Sequence, residues 1–593
     1  MKKILSILAL SLCMVSCVDT VILPDDKVVD ENMWKTKADV AGIVSCAYAQ
    51  LRDESLQRNL IVWGDFRSDE LVLSPSLDNS AAYKTDLSQI YSLNILPANS
   101  FTNWNALYTA INYCNIVLER AGEVISIDPN YTQGDYEVDC SKVKALRALC
   151  YFYLVRVFRD VPMSLSAYMT SNQNAMLAQQ APSVVLDQCI KDLQEAEVDA
   201  ISSDAYHDWR DKGYMTRDAI CALLADIYLW RASVYHSESD YNACVTYCDK
   251  VIASKRNAHQ SSDEEAQNYY LSKRDYYYEE VFSEDKVEAW PGRKIYNTQG
   301  VSGMNSEESI FEIQYISALA SDNTPTKVQN NGMYQMYQRY KDNASALPAY
   351  FMATEYYGKT PTGTYGSSLF LNSEDIRRAD FMYLSDDASS YRVRKYVAST
   401  GSASSTGTQS SRRLADFHQN WIVYRLSDVM LMKAEALVQL YEFSAKTDED
   451  NHYISDAFAL VDAVNRRSLL EDTQNGLSFS FYKDKMEDLV LQERARELCF
   501  EGKRWFDLMR YNYRHVDGVQ YDKTFAQQEG EYIENNPEFL SMAIKGKYDS
   551  EAVKAKMPTE PYLYWPINTA QIDYNTNLVQ NPVWRASSST ARQ

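Results

Sequence analysis

The strongest constraint on this chain is a set of segments in which apolar residues return every three or four positions. In 143–158, Leu146, Leu149, Cys150, Tyr153, Leu154, Val157 and Phe158 share one helical face. Asp160-Val161-Pro162 ends that helix, because proline has no amide to donate and its ring clashes with the preceding turn. Ile220, Leu223, Leu224, Ile227 and Trp230 repeat the period after Thr216, with Asp218 in the first turn, where the helix dipole favours an anion. Leu426, Val429, Met430, Ala434, Leu437 and Val438 repeat it again, and Met486, Leu489 and Val490 open a pattern that runs on to Leu508. Strand alternation is almost absent from these stretches, so they predict an all-α scaffold. Between 185 and 248 the order is helix, polar loop, helix, loop, helix. Such pairs stack like tetratricopeptide hairpins, each hiding its apolar stripe on the next, but no clean 34-residue consensus is present and the array is irregular. Polar loops around 261–275 and a low-periodicity region at 290–409 form large loop-rich insertions, and 389–411, containing GSASSTGTQSS, predicts an exposed hairpin or mobile loop.

Composition narrows the partners. Hydrophobic residues make up 46% of the 593, with only 15 Pro and 19 Gly, which fits a packed chain rather than a disordered one. The formal charge of -22 repels phosphate backbones, so nucleic acid is not an expected partner, whereas neutral ligands such as sugars are indifferent to it. Lys2 and Lys3 precede an apolar run at 4–15 that is too short to span a bilayer, and Ser16-Cys17 follows. Residues 1–16 therefore read as an export signal. The ending MVSC resembles a bacterial lipobox, which implies a mature chain that begins at Cys17 and is anchored to the membrane only through lipid on that cysteine. Nine cysteines remain after Cys17, an odd number scattered through helical patterns, which predicts small buried side chains rather than a disulfide framework.

Catalytic signatures are missing: there is no H-E-x-x-H, no G-x-S-x-G and no glycine-rich phosphate loop. The six histidines are isolated in sequence, which neither makes nor excludes a site in space. Asp448 to Asp450 lacks the spacing and glycine of a calcium loop and reads as solvated surface. No cofactor or catalytic metal is predicted, and a structural calcium stays open. Aromatics are abundant, with 45 Tyr, 18 Phe and 10 Trp. Most must pave helix interfaces. The dense clusters, Tyr269 with Tyr270, Tyr276, Tyr277 and Tyr278, Trp290, and Tyr334 to Tyr340, are candidate ligand contacts, since aromatic planes stack on the CH faces of sugars.

Four segments carry a family resemblance: LRALCYFYLVRVFRDVP (Leu146 to Pro162), YRLSDVMLMKAEALV (Tyr424 to Val438), ERARELCFEGKRWFDLMRY (Glu493 to Tyr511) and LYWPINTAQIDYNTNLVQNP (Leu563 to Pro582). They resemble, in order and spacing, the SusD/RagB family of Bacteroidetes surface lipoproteins that cap TonB-dependent outer-membrane transporters, and FTNWNALYTAINYCNIVLER (Phe101 to Arg120) fits its early helix. The resemblance implies one SusD-like domain over 17–593, with a helical-repeat scaffold and binding loops in 17–290 and the C-terminal RagB/SusD region with insertion and closing tail in 291–593. It implies an outer-membrane, surface-exposed lipoprotein that captures a glycan without catalysis and passes it to a SusC-like TonB-dependent transporter. Peptide or another nutrient is the alternative ligand, and an extracellular glycoside hydrolase a further one. The polar-aromatic segment with Trp63, Asp65, Arg67 and Asp69 resembles a part of the family that contributes to the ligand face, so these residues join the candidates.

The motif residues themselves read as structural. Arg494 and Glu497 form a same-face pair, and Asp428 and Glu435, seven apart, are expected to be salt-bridged or capping rather than a catalytic dyad. Gly502, which costs about 1 kcal/mol in a helix interior, marks either a close backbone contact or a break in the helix. Pro566, Asn575, Asn577, Gln580, Asn581 and Pro582 suit a turn-rich tail that ties the terminus onto the scaffold.

Overall fold

The structure is a computed structural model that describes residues 34–258, apart from 171–172 and 203–211, and residues 308–584, apart from several stretches between 318 and 418 together with 470–476 and 548–554. Its first helices are α1 (Lys37–Ala49), α2 (Glu54–Ile61), α3 (Lys84–Tyr91), α4 (Asn105–Val124) and α5 (Gln133–Phe158). Helix α5 shows how sequence sets an element. Thr132 accepts the Asp135 amide while the Asp135 side chain accepts the Thr132 amide, a reciprocal cap that satisfies two donors left over at a helix start. From Ala145 to Phe158 every residue is buried, and the helix stops where Arg159 takes φ 65°.

Helices α6 (Pro182–Asp199), α7 (Arg217–Tyr235) and α8 (Glu238–Ala258) follow. Between α7 and α8 only His236 and Ser237 intervene, and His236 in the left-handed region (φ 50°, ψ 48°) reverses the chain. Packing runs in succession, α4 on α5, α5 on α6, α6 on α7 and α7 on α8. This is the stacked-pair arrangement expected from the apolar periods. The array resumes after the insertion. Beyond the two-turn α9 (Asn331–Tyr337), α10 (Leu426–Phe443) packs on α8 and receives α11 (Asn451–Arg466) and α12 (Lys483–Glu497) on its other sides. Helix α13 (Arg504–Arg514) returns to pack on α7, and α14 (Pro537–Ala543) packs on α13.

The low-periodicity region contributes short strands to this mostly helical fold. Strands β1 (Leu71–Leu73), β3 (Phe351–Ala353), β5 (Tyr391–Val393) and β4 (Met382–Leu384) form an antiparallel sheet in that spatial order, while β2 (Ser309–Ile313) pairs with β6 (Trp421–Arg425) through a ladder with two irregularities. Of the predicted hairpin at 389–411, Tyr391–Val393 is strand β5, and 397–411 lies outside the described residues.

The nine cysteines are free thiols, eight of them buried, and burial pushes the thiols of Cys114, Cys150, Cys189 and Cys499 well up from their ordinary value. The closing tail is tied to the N-terminal half by main-chain and amide bonds. Trp565 N donates to Val157 O (2.9 Å), Asn575 Nδ2 to Leu177 O (2.9 Å), Asn577 Nδ2 to Met176 O (2.7 Å), and Asn581 Nδ2 closes back on Pro561 O (2.9 Å).

Candidate functional site

The charged motif at Glu493 to Tyr511 faces inward. Helix α12 ends at Glu497, α13 begins at Arg504, and the loop between them is held by Phe500 at φ 65° and Gly502 at φ 72°. Gly502 therefore both breaks the helix and marks a close approach: a Cβ on Gly64 would lie 2.0 Å from the Gly502 carbonyl oxygen. The single helical run predicted from Met486 to Leu508 is two helices for this reason.

Around that loop the ionic side chains are fully buried and mutually paired. Glu497 accepts from Arg425 Nη1 (2.5 Å), Arg377 Nη1 (3.0 Å) and Arg467, and Glu501 accepts from Arg425 Nη2 (2.8 Å) and Lys395 Nζ (2.7 Å). Arg377 also reaches Glu493 (2.7 Å). Asp428 lies 3.0 Å from Arg494 and pairs with Lys503, while Glu435 takes Arg510 (2.8 Å) and Arg514 (2.6 Å). Burial pushes these carboxyls up, but the adjacent cations outweigh it. Asp428 and Glu501 fall to about 2, and Glu435 and Glu497 lie well below the carboxylate range. Carboxylates locked in the ionised state by guanidinium groups are poor proton donors at neutral pH, so the arrangement is a frame rather than an acid-base pair. Arg494 and Glu497 do not pair with each other. Arg494 turns to Asp507 (2.9 Å) and Asp428, and Glu497 turns to three arginines.

The structure corrects the reading of Trp63, Asp65, Arg67 and Asp69 as ligand contacts. Helix α2 continues into a π-helical turn at Val62–Phe66, and all residues from 61 to 70 are buried. Trp63 Nε1 donates to Phe101 O (2.9 Å), Arg67 Nη1 donates to Leu563 O (2.7 Å) with its guanidinium 4.3 Å from the Trp505 ring, and Asp69 takes both arms of Arg504 (2.8 and 3.0 Å). Their polar groups serve partners within the fold, 38 residues away for Trp63 and more than 400 for Asp65, Arg67 and Asp69, not solvent. Tyr334 on α9 is 2% exposed and packs in the core, which corrects its candidacy too. Tyr269, Tyr270, Tyr276, Tyr277 and Trp290 lie outside the described residues.

Sequence reasoning passed over a different surface. In the LSFSFY segment before α12, Phe479 is 41%, Phe481 53% and Tyr482 78% exposed. Phe479 packs edge-on against half-buried Phe458 of α11 (centroids 5.0 Å) and against Phe481 (4.4 Å), which joins Phe479 and Phe481 in one cluster beside the exposed Tyr482. Alternation of aromatic and serine residues was the available signal. A second feature is an open groove of about 430 Å³ between α4, α5 and the end of α6, within the size range of small-ligand sites, lined by Glu119, Tyr136, Lys144, Arg147, Leu165 and Asp199 among others. Its cations are committed: Arg147 is bidentate with Asp192 (2.8 and 2.9 Å) and Lys144 meets Glu195 (2.8 Å). Among the described residues no group of three or more His, Cys, Asp or Glu side chains is placed to hold a metal ion, and no helix is long and apolar enough to cross a membrane.

Residues 249–584 match the model of the SusD family, and residues 25–229 match a second model described as starch-binding, associating with outer membrane. The chain belongs to the SusD family. Two SusD-like proteins of Formosa agariphila are similar to it, one 25% identical over 520 residues (82% of this chain, 86% of the relative), the other 22% identical over 528 (86% and 91%). A SusD homolog from Bacteroides thetaiotaomicron superposes with TM-score 0.66 at 19% identity, covering 94% of this chain and 100% of that one. NanU of B. fragilis gives 0.59 at 19% identity, covering 95% and 100%. These likenesses establish the helical SusD fold.

Proposed function

We propose that this SusD-family chain is a noncatalytic receptor that captures a glycan at the cell surface and delivers it to a SusC-like TonB-dependent transporter in the outer membrane, tethered by lipid on Cys17. The observation that carries the reading is the family match over both halves of the chain, one half described as starch-binding and associating with outer membrane. The exposed Phe479, Phe481 and Tyr482 rings fit a neutral, hydroxyl-rich ligand, because stacking on CH faces needs no charge and a -22 chain offers no attraction to anions. Tyr269, Tyr270, Tyr276, Tyr277 and Trp290 remain proposed contacts on composition alone. Peptide capture by the same architecture is the second reading. The hydrolase reading is weaker, because the motif carboxylates are held by arginines instead of flanking a cleft.

A glycan array probed with the chain lacking residues 1–17, with each hit assayed for new reducing ends, tests the proposal. Selective binding without reducing-end release is expected, and replacing Phe479, Phe481 and Tyr482 together by serine is expected to weaken that binding at least about tenfold, as loss of two stacked rings would. Release of reducing ends would overturn the noncatalytic role, and binding of peptides in place of glycans would overturn the ligand class.

A further inference from the structure

Three runs far apart in sequence lack charge and meet at one surface. Residues 87–118 and 161–181 contain no Asp, Glu, Lys, Arg or His, and residues 561–584 contain only Asp573, in a chain that is 24% charged. Burial accounts for part of this, since Tyr564 and Trp565 are core residues, but each run also faces outward: Leu96, Leu165, Met176 and Val579 are each more than two-fifths exposed. Hydrogen bonds join the runs. Thr569 N donates to Pro97 O (3.1 Å) and Asn568 Nδ2 to Thr102 Oγ1 (2.8 Å). Tyr108 Oη donates to Pro162 O (2.7 Å), Asn115 Nδ2 to the Ser164 and Ser166 carbonyls (3.2 and 3.1 Å), and Val579 N to Gln179 Oε1 (2.8 Å). Charged side chains from outside the runs reach them at Ser100, whose amide Asp86 accepts (3.1 Å), at Ala167, whose amide Glu119 accepts (2.7 Å), and at Ser92, to whose carbonyl Lys556 donates (2.9 Å).

A surface that combines exposed apolar side chains with depletion of charge has the composition of a protein–protein contact. Three other occupants fit it less well. A hydroxyl-rich glycan needs free donors and acceptors, but amide side chains are already used within the surface, as where Asn112 brackets the Tyr168 main chain (3.0 and 2.7 Å) and Gln571 Nε2 donates to Asn105 Oδ1 (2.9 Å). An anionic membrane surface attracts Lys and Arg, and the three runs contain neither. A second copy of this strongly acidic chain brings like charge towards like. What fits is a protein surface equally poor in charge, because a charged side chain buried against these runs would be stranded without a partner. We propose, resting on the receptor reading above, that this face docks on the extracellular surface of the partner transporter and that the matching patch of the barrel is itself uncharged.

Photocrosslinking of the full chain in its native outer membrane tests the face. The photoreactive residue p-benzoylphenylalanine is placed singly at Leu96, Met176 and Val579 and, as a control, at exposed Phe443 of α10, which α5, α6, α7 and α8 separate from α4 in the packing order. Adducts with a TonB-dependent barrel, identified by mass spectrometry, are expected at the first three positions and are expected to be lost at Phe443. Met176→Glu combined with Val579→Glu is expected to lower the amount of barrel co-purified in mild detergent by about tenfold or more, because each change buries an unpaired charge in the contact. Both side chains are exposed, so urea unfolding of the double variant is expected to match wild type. Barrel adducts as strong at Phe443 as at the other three positions, or undiminished co-purification by the double variant, overturn the face and leave the receptor reading standing. No barrel with the wild-type chain by either route overturns both. Adducts with a second copy or with lipid in place of a barrel identify another occupant and overturn this one.

Discussion

Gly64→Ala is the most demanding test of the frame. The added Cβ would lie 2.0 Å from Gly502 O, 2.2 Å from its carbonyl carbon and 2.5 Å from its Cα, all main-chain atoms that no rotamer change can move. Restoring an ordinary 3.4 Å contact requires the π turn and the α12–α13 loop to separate by about 1.4 Å, the difference between 3.4 and 2.0 Å. That separation stretches the Asp65 bonds to Gly502 N and Lys503 N, now 2.8 and 3.0 Å, beyond hydrogen-bonding range. Hydrogen bonds to a charged acceptor contribute about 1.5–3 kcal/mol each. Their loss gives about 3–6 kcal/mol, a large part of the 5–15 kcal/mol that holds a typical domain folded. Gly42→Ala is the matched control: Gly42 lies in α1 with no atom near its would-be Cβ, and alanine there is expected to stabilise by up to about 1 kcal/mol. Urea unfolding followed by tryptophan fluorescence compares the two. A Gly64→Ala unfolding free energy within about 1 kcal/mol of wild type would refute the argument that backbone contact, rather than side-chain pairing alone, fixes this junction.

Three further outcomes follow from the same geometry. Arg425→Leu leaves Glu497 and Glu501 buried with fewer cations and is expected to destabilise by about 3–5 kcal/mol in urea, whereas Arg425→Lys, which cannot bridge both carboxylates with a planar fork, is expected to recover only part of that loss. Acid is expected to unfold the chain. Asp428 and Glu501 are depressed to about 2, so their contribution is present above their ordinary values near 4 and disappears as pH falls through the folded ones; a circular-dichroism titration showing full helicity at about pH 2 would contradict this. Finally, serine at Phe479, Phe481 and Tyr482 is expected to lower the unfolding free energy in urea by less than about 1 kcal/mol per residue, because exposed rings contribute little to the core, and a larger loss would mark these rings as structural instead.

Much of the scaffold was legible because its helices are built on apolar periods. The run ending at Phe158 stops where Pro162 said it would, at the Arg159 turn, and the segments at Thr216 and Leu426 begin helices as their patterns required. The break at Gly502 was visible only as a choice between contact and interruption, since a sequence does not reveal that Gly64 lies against it. The short strands were harder. Three-residue elements such as Leu71–Leu73 carry no alternation long enough to read, and they pair with residues about 280 positions away. The candidate site failed for a related reason. Asp65, Arg67 and Asp69 have the composition of a wet loop, and only the distant partners Gly502, Leu563 and Arg504 reveal that they are buried and satisfied.

The residues that make the family recognisable are the ones least able to report what a member binds. Arg425, Glu497, Glu501, Gly502 and Arg504 are all turned into the interior, and each is constrained from several directions by charge pairing or backbone contact. A substitution there strands a buried charge or opens a packed junction, so these positions tolerate little change whatever the ligand. Phe481 and Tyr482 are exposed and make none of these charge pairs, so their replacement is expected to leave the frame intact. The fold itself is shared at about one-fifth identity, with 19% at TM-score 0.66 for one solved relative. Ligand choice in this chain has to be sought on its exposed aromatic and polar surface, and the binding experiment on Phe479, Phe481 and Tyr482 addresses that surface without disturbing the charges beneath it.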